Sequence, residues 1–452
     1  MEDCMNTLKA GFGRVNVNPP MGIAISGYFI PRYAEGILDD LELNALALEA
    51  GGKQVLLMCL DNCVPKADVL DESRRQISQA TGVPYEAIFI SATHTHTSPY
   101  VRDDAEDPVE RAYVGFLYTR MVDAARFALD DLKPARMGWA VGTAPNIAFV
   151  RRFRMVDGKV RTNPGVGNPD ILHPIGDVDE RVNVLRFDRE GGETLVLANF
   201  GCHPDVVGGC KLSADWPGFF RRSFEKAIDN TRCIFFNGAE GDVNHVNVNA
   251  KDGFMNDLKN DFDDVARGYG HARYMGRVVA GAVMQVYDKV NYRDVDSVQF
   301  LQKTVEAPSN MPAPEDLALA HKYNDLHKAG RDDLIPFTEM ELTTVVAEAT
   351  RMCELENGPD HFLLPMTGVQ IGSIAMIGLP GEPFTDIGVQ IKDTEGWNMI
   401  MPCCIVNGYQ GYFPTKDAFD EGGYESRSSS FQSNVAELLI QGGKTLLKEL
   451  KN

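Results

Sequence analysis

The chain lacks a hydrophobic run long enough to cross a membrane as a helix. Such a helix requires about 20 consecutive apolar residues, and no stretch of the 452 residues reaches that length. The amino-terminal sequence MEDCMNTLKAGFGRV also lacks the basic start and the apolar segment of a secretory signal peptide. The sequence therefore predicts a cytoplasmic protein without stable membrane association.

Basic residues are scarce relative to acidic ones. Lys and Arg number 44 against 64 Asp and Glu, which gives a net charge of -20 and a pI near 4.9. Binding to nucleic acid depends on a basic surface that releases counterions from the phosphate backbone. Nucleic acid is therefore excluded as a partner, and a small-molecule substrate is expected. Whether the protein forms a homo-oligomer is left open.

The nine cysteines lack the paired spacing of a structural zinc site. Cys59 and Cys63 have no second pair of the CxxC type that would complete a tetrahedral set of thiolates. Their odd number and apolar surroundings favour reduced, buried thiols. Internal repeats, low-complexity tracts and linkers are also lacking, which predicts a single domain over residues 1–452.

Apolar strand patterns alternate with amphipathic helix patterns along the chain, which predicts an α/β (α+β) fold. Helices are predicted at 67–80, 110–132, 269–290 and 434–450, and a charged, peripheral helical segment at about 313–357. Strands are predicted at 43–49, 54–60, 136–144, 195–200, 233–236, 297–305, 366–379 and 399–406. Residues 11–28, rich in Gly and Pro, predict turns and no regular element.

Two histidines end the apolar run at residues 87–99, AIFISATHTHTSP. Side chains two apart on an extended strand share a face, so His94 and His96 can point into one pocket. That arrangement is typical of a metal or proton-transfer site. A polar strand end is the alternative, because a His-x-His pair alone is a weak signal.

Further polar residues stand at other strand ends. His203 follows the strand at 195–200, and Glu382 lies in a Pro-Gly-Glu-Pro turn where a buried charge needs a metal or an arginine. Asp61 follows the strand at 54–60, either as a site carboxylate or as a helix cap. Asp242 would either orient a liganding histidine or close a turn. Arg151 opens an arginine cluster that could hold a carbonyl or an anion, or form a solvated strand edge.

Six motifs, in chain order, resemble the neutral (alkaline, non-lysosomal) ceramidase family and its bacterial relatives. They are IFISATHTHTSP, NFGCHPDVVGG, LSADWPG, NGAEGDVN, PGEPF and NGYQGYFPT with GGYES. The resemblance extends from about Gly11 to the carboxyl terminus. It implies a large core of two stacked β-sheets flanked by helices, and zinc-dependent hydrolysis of an N-acyl amide.

The same resemblance implies roles for individual residues. The zinc ligands implied are His94, His203, Glu382 and Tyr412, with Tyr409 as the alternative to Tyr412. His96 is implied as the proton shuttle or a group orienting the ligands, and an exchange of roles between His94 and His96 is left open. Arg151 matches a substrate-binding arginine and Tyr424 a tyrosine that stabilises the oxyanion, while Asp61 and Asp242 are expected to orient the ligands.

The sequence also departs from the family. Secreted ceramidases carry a signal peptide and a carboxy-terminal β-sandwich domain, and neither is recognised here. Gly238 and Ala239 stand where family members carry serine and asparagine, which excludes a serine nucleophile at that position. The sequence thus predicts a short, cytoplasmic, zinc-dependent amidohydrolase that uses zinc-activated water on a small soluble substrate. A zinc esterase, lactonase or carbohydrate-derivative hydrolase, a true ceramidase, a phosphoesterase and a non-catalytic binding protein are the alternatives.

Overall fold

The computed structural model describes residues 8–249 and 268–451. The α-helices are α1 (Ala67–Thr81), α2 (Pro108–Asp130), α3 (Asp215–Ala227), α4 (Tyr269–Tyr287), α5 (Pro314–Lys328), α6 (Glu339–Leu355), α7 (Thr385–Lys392), α8 (Lys416–Glu421), α9 (Tyr424–Ser428) and α10 (Val435–Glu449). The strands of the first half are β1 (Lys9–Asn16), β2 (Ala24–Ile25), β3 (Arg32–Tyr33), β4 (Gly36–Ile37), β5 (Glu42–Ala50), β6 (Lys53–Leu60), β7 (Ile88–Ala92), β8 (Lys133–Thr143), β9 (Phe149–Val150), β10 (Arg152–Met155), β11 (Val160–Thr162) and β12 (Ile171–Pro174). Those of the second half are β13 (Arg181–Arg189), β14 (Thr194–Phe200), β15 (Lys211–Leu212), β16 (Thr231–Asn237), β17 (Val243–Asn244), β18 (Asn291–Arg293), β19 (Val298–Pro308), β20 (His361–Ile371), β21 (Ile374–Gly378), β22 (Glu382–Pro383), β23 (Met399–Cys403) and β24 (Tyr412–Phe413).

A nine-stranded sheet forms the larger part of the core. Its order is β16-β14-β13-β8-β1-β5-β6-β7, with β18 paired to β8. The outermost pairs, β14 with β16 and β6 with β7, are parallel, and the strands between them are antiparallel. The two edge strands, β16 and β7, approach each other, and the ring centroids of Phe236 and Phe89 are 5.9 Å apart. The sheet therefore curls, and the carboxyl ends of both parallel pairs lie close together.

A second sheet, β19-β20-β21-β23, faces the first. Leu46 and Met58 of the first sheet share one buried cluster with Val369, Met376 and Met401 of the second. Burying each such side chain stabilises the fold by about 1.5–3 kcal/mol. The predicted α/β core of two stacked sheets is confirmed.

Helices cover the outer faces of both sheets. α3 and α4 pack on the first sheet through a second buried cluster, in which Trp216 and Met275 meet Phe235. α10 packs on the second sheet because Val435, Leu439 and Leu446 occupy one face of the helix. The core is therefore layered as helix, sheet, sheet and helix.

Two predictions about secondary structure are wrong. Residues 366–379 do not form one strand, because Gly372 adopts a φ of 58° and turns the chain between β20 and β21. Residues 11–16 are not a turn region but belong to β1, which pairs with β5. Gly13 there serves close packing, since a Cβ at that position would lie 2.3 Å from the carbonyl oxygen of Ala124 in α2.

Two further features bear on the sequence predictions. None of the helices in the described ranges has the length and apolarity to cross a membrane. The eight cysteines within those ranges are all free thiols, and Cys4 lies outside them.

Candidate metal centre

Four buried side chains converge where the strands of both sheets end. His94 follows β7 and His203 follows β14, the two regions that the curled sheet brings together. Glu382 lies on β22, which pairs with β24 so that Glu382 stands opposite Tyr412. The first three side chains belong to residues only 1% exposed, and Tyr412 is 7% exposed. These four residues are referred to below as the metal cluster.

Atoms that commonly bind metals surround one point in the metal cluster. Glu382 Oε2 lies 3.0 Å from His203 Nε2 and 3.4 Å from His94 Nε2. The Tyr412 hydroxyl lies 3.4 Å from the same nitrogen of His203. Within the described residues, Glu382 Oε2 has no hydrogen-bond partner. Because a buried, unsatisfied carboxylate oxygen is costly, a cation at this point would stabilise it.

The charges around the metal cluster also fit a divalent cation. Glu382 and Glu240 bring two buried carboxylates. The neighbouring guanidinium of Arg151 donates a hydrogen bond of 2.6 Å to Glu425, so its charge is already paired. Imidazole and carboxylate are ligands that zinc prefers, and one such ion would balance the two carboxylates.

Backbone carbonyls hold both histidines of the metal cluster in a metal-binding orientation. His94 Nδ1 lies 3.0 Å from the carbonyl oxygen of Cys63, and His203 Nδ1 lies 2.8 Å from that of Glu240. When Nδ1 carries the proton and donates it to a carbonyl, the lone pair of Nε2 faces the centre. Both rings therefore present Nε2 to the centre.

The two histidines of the His-x-His pair meet through a turn and not along a strand. β7 ends at Ala92, and His94 has a left-handed φ of 73°, which is strained for a non-glycine residue. The expectation that both lie on one extended strand face is wrong, although their ring centroids are 4.7 Å apart. Strained backbone of this kind is common at functional sites.

His96 lies beside the metal cluster with two different neighbours. Its Nε2 is 3.1 Å from His94 Nε2, and its Nδ1 is 3.7 Å from a carboxylate oxygen of Asp205. Burial, followed by repulsion from His94 and His203, lowers the pKa of His96 well below its usual value. A neutral imidazole in this position can accept a proton.

The two candidate tyrosines contact different groups. Tyr409 donates a hydrogen bond of 2.7 Å to Oε1 of Glu382, whereas the Tyr412 hydroxyl faces His203. Burial, followed by the charge of Glu382, raises the pKa of Tyr412 well above its usual value. Its phenol therefore stays protonated unless a cation stabilises the phenolate. The positions favour Tyr412 over Tyr409 as the fourth ligand.

Arg151 and Tyr424 border the same centre. Arg151 Nη1 lies 3.3 Å from His203 Nε2, and its Nη2 donates to the carbonyl oxygen of Gly241 at 2.7 Å. The Tyr424 ring centroid is 5.6 Å from that of Tyr412. Burial, followed by the charge of Glu382, raises the pKa of Tyr424, so its hydroxyl remains a hydrogen-bond donor.

Asp61 and Asp242, in contrast, bind groups other than the histidines. Asp61 forms a buried ion pair with Arg221, with hydrogen bonds of 3.0 and 2.5 Å. Asp242 accepts hydrogen bonds of 2.7 and 2.8 Å from the backbone NH and the hydroxyl of Thr385. Their expected role of orienting a liganding histidine does not match these contacts, because both carboxylates are satisfied elsewhere.

Sequence reasoning missed three acidic residues at the site. Glu240 contacts His203, Asp205 faces His96, and Glu425 binds Arg151. The signal for Glu240 and Asp205 lay in their position directly beyond strand ends, in NGAEGDV and GCHPDVV. Glu425 stood in the quoted GGYES motif, directly after Tyr424, but its partner Arg151 lies far away in the sequence, so the contact itself left no local pattern.

A polar cavity of about 980 Å³ lies beside β11 and the start of α6. Arg161, Glu341 and Glu421 are among its lining residues, and Gly423, which precedes Tyr424, lies on its edge. Within the described part of the chain, no side chain of the metal cluster lines it. The cavity is therefore a separate feature from the metal cluster.

Comparison with known proteins gives a fold and no family. No protein-family model matches the sequence, and no curated protein matches it. A solved neutral ceramidase from Pseudomonas aeruginosa matches with a TM-score of 0.73 at 15% identity, covering 99% of this chain and 75% of that chain. A ceramidase complexed with C2 matches with a TM-score of 0.70 at 17% identity, covering 98% and 76%. The fold is that of the neutral ceramidase catalytic domain.

Proposed function

We propose that this chain is a zinc-dependent amidohydrolase that cleaves the N-acyl amide bond of a small, dissolved substrate. The observation that carries the proposal is the convergence of His94 Nε2, His203 Nε2, Glu382 Oε2 and the Tyr412 hydroxyl on one buried point. The shared fold with ceramidases supports hydrolase chemistry.

A zinc ion held by the metal cluster would supply an activated water and polarise the substrate carbonyl. Arg151 and Tyr424 would then stabilise the negative charge that develops on the carbonyl oxygen. Both can donate hydrogen bonds from the edge of the cluster, and burial of Arg151 strengthens its interaction.

His96 would move the proton that amide cleavage requires. Its neutral imidazole accepts a proton from the attacking water and donates it to the leaving nitrogen as the carbon–nitrogen bond breaks. Asp205, 3.7 Å from Nδ1, would favour the protonated imidazole when it is ionised, and burial raises its own pKa to about 7. The products are a carboxylic acid and an amine.

Water, and not a side chain, is the nucleophile in this proposal. Gly238 and Ala239 follow directly after β16 and carry no hydroxyl. A covalent acyl-enzyme is therefore not expected to accumulate, and pre-steady-state kinetics should show no burst of product.

Burial and charge support a small substrate. The histidines of the site are between 1% and 9% exposed, so little of their surface is open to a large substrate. The net charge of -20 disfavours adsorption to anionic membranes.

A substrate screen tests the proposal. Zinc-loaded protein should release carboxylate from short N-acyl amines faster than from long-chain ceramide in micelles. Short esters with the same acyl groups are assayed alongside, so that the rates of amide and ester cleavage can be compared. Efficient ceramide hydrolysis without turnover of soluble amides would contradict the proposed substrate class, and turnover of esters alone would contradict the amide specificity.

A further inference from the structure

The carboxylate of Glu240 is buried without a lysine or arginine beside it. Its residue is 0% exposed, and among the described residues it lies in hydrogen-bond contact with the Cys404 thiol. Its Oε2 also lies in ion-pair contact with His203 Nδ1. No Lys or Arg of the described chain forms a salt bridge with it. A buried carboxylate in this position requires positive charge close by.

The two nitrogens of His203 face two different carboxylates. Nε2 lies 3.0 Å from Glu382 Oε2, on the side where the metal cluster converges. Nδ1, on the opposite side of the ring, faces Glu240. The direct contact of Glu240 is therefore with Nδ1 and not with the nitrogen that faces the metal cluster, while its carboxylate also lies within 4.8 Å of the ligand atoms of His94 and Glu382.

Backbone carbonyls and the Glu240 carboxylate have separable effects on His203. The carbonyl oxygens of Glu240 and Val243 lie 2.8 and 3.2 Å from Nδ1 and can keep the proton there. The carboxylate adds a full negative charge at the same nitrogen. That charge makes Nε2 a stronger electron donor toward a metal, as in carboxylate–histidine–zinc arrangements.

We infer that Glu240 is a positioning residue that strengthens zinc binding through His203 without touching the ion. The inference rests on the zinc site proposed above.

Zinc affinity, measured by competition with a chromophoric chelator, tests the inference. Glu240→Gln keeps the shape and removes the charge, and it should weaken zinc binding by about 10–100-fold, as expected when such a partner is lost. Glu110→Gln is the matched control, since Glu110 is also buried and pairs with Arg102 away from the metal cluster. Its zinc affinity should equal that of the unmodified protein.

Two further measurements separate positioning from direct ligation and from misfolding. The visible spectrum of the cobalt(II)-substituted Glu240→Gln variant should keep the shape and intensity of the unmodified protein, because the ligand set is unchanged. Thermal unfolding without metal should show a Tm no lower than that of the unmodified protein, because an unbalanced buried charge is removed. A cobalt spectrum of altered coordination number would overturn the inference in favour of direct ligation.

The outcomes distinguish this inference from the proposed function. Equal zinc affinity in Glu240→Gln and the unmodified protein would overturn the inference alone. Weakened zinc binding in a protein that hydrolyses no amide would support the inference and contradict the proposed substrate. Absence of zinc binding by the unmodified protein would overturn both.

Discussion

At the scale of single residues, His96 is the clearest test of the proposed chemistry. It lies next to His94 but outside the four-residue metal cluster, so its removal should spare the metal. We expect His96→Ala to lower kcat by about 10²–10⁴, the usual contribution of a positioned acid or base. The measurement is turnover at saturating substrate combined with zinc content by elemental analysis.

The exposed His173 supplies the control for this prediction. His173→Ala should leave both kcat and zinc content unchanged, since its ring is exposed and lies 3.0 Å from the backbone carbonyl of Pro174 at the surface. If His96→Ala loses the zinc and His94→Ala retains it, the two histidines have the opposite roles.

The buried pair of Asp61 and Arg221 makes a prediction about stability. Both residues are 1% exposed, and Arg221 has a second carboxylate partner, Glu42, at 3.3 Å. Asp61→Asn removes the closer partner and leaves Glu42, so we expect it to lower the free energy of unfolding by about 1.5–3 kcal/mol, the usual contribution of hydrogen bonds to a charged group. Urea unfolding followed by circular dichroism measures this loss, and zinc affinity should stay unchanged in the folded variant.

Asp333→Asn is the surface comparison for Asp61→Asn. Asp333 also pairs with an arginine, Arg331, but in solvent, where such pairs contribute little. Its unfolding midpoint should match that of the unmodified protein. A similar midpoint for Asp61→Asn would show that the buried pair does not stabilise the fold.

At the scale of elements, an ion pair joins the two sheet layers. Lys392, at the end of α7 on the second sheet, bonds at 2.8 Å to Asp179, which precedes β13 of the first sheet. Burial raises the pKa of Asp179, but hydrogen bonds from Arg181 and the charge of Lys392 outweigh it and lower the pKa to about 2.

This pair predicts a pH-dependent loss of stability. The folded pKa of Asp179 lies below the unfolded value of about 3.9, so its contribution is present above pH 4 and lost as the pH falls toward 2. Asp179→Asn should lower the free energy of unfolding by about 1–3 kcal/mol at pH 6. Urea titrations at pH 6 and pH 3 should show a smaller difference at pH 3, and a difference independent of pH would contradict the assignment.

Local pattern was enough to predict some elements and too little for others. The apolar runs behind β5 and β6 are bounded by a clear Gly51-Gly52 turn, so both were predicted to within two residues. β13 was not predicted, because Arg186 and other charged residues on its second face interrupt the apolar run. The β20–β21 hairpin was read as one strand because Gly372 is its main local signal.

For the site, too, local sequence pattern was sufficient for some residues and not for others. His94, His203 and Glu382 stand directly beyond apolar runs, and their positions could be proposed from sequence. The position of Glu240 carried a similar signal, but its contact with His203 could not be predicted, because that contact depends on the parallel pairing of β14 and β16. Contacts set by pairing between distant strands leave no pattern within either segment.

At the scale of the whole molecule, curling of the nine-stranded sheet brings the site together. β7 and β16 are at opposite ends of the hydrogen-bonded order, yet both end beside the metal cluster. Asn237, the last residue of β16, donates a hydrogen bond of 3.1 Å to the carbonyl oxygen of Thr93, which joins the two ends. Glu382 lies on β22, which follows strand β21 of the second sheet, and its side chain reaches the same place. Cytoplasmic location and a single domain over the chain stay predictions.

The central claim is that this arrangement binds one zinc ion. The direct measurement is metal content by elemental analysis after zinc loading and removal of free metal, for the unmodified protein and for His203→Ala. The account predicts about one zinc equivalent per chain in the unmodified protein and its loss in His203→Ala, which remains folded by circular dichroism. Full zinc occupancy in His203→Ala, or none in the unmodified protein, would contradict it.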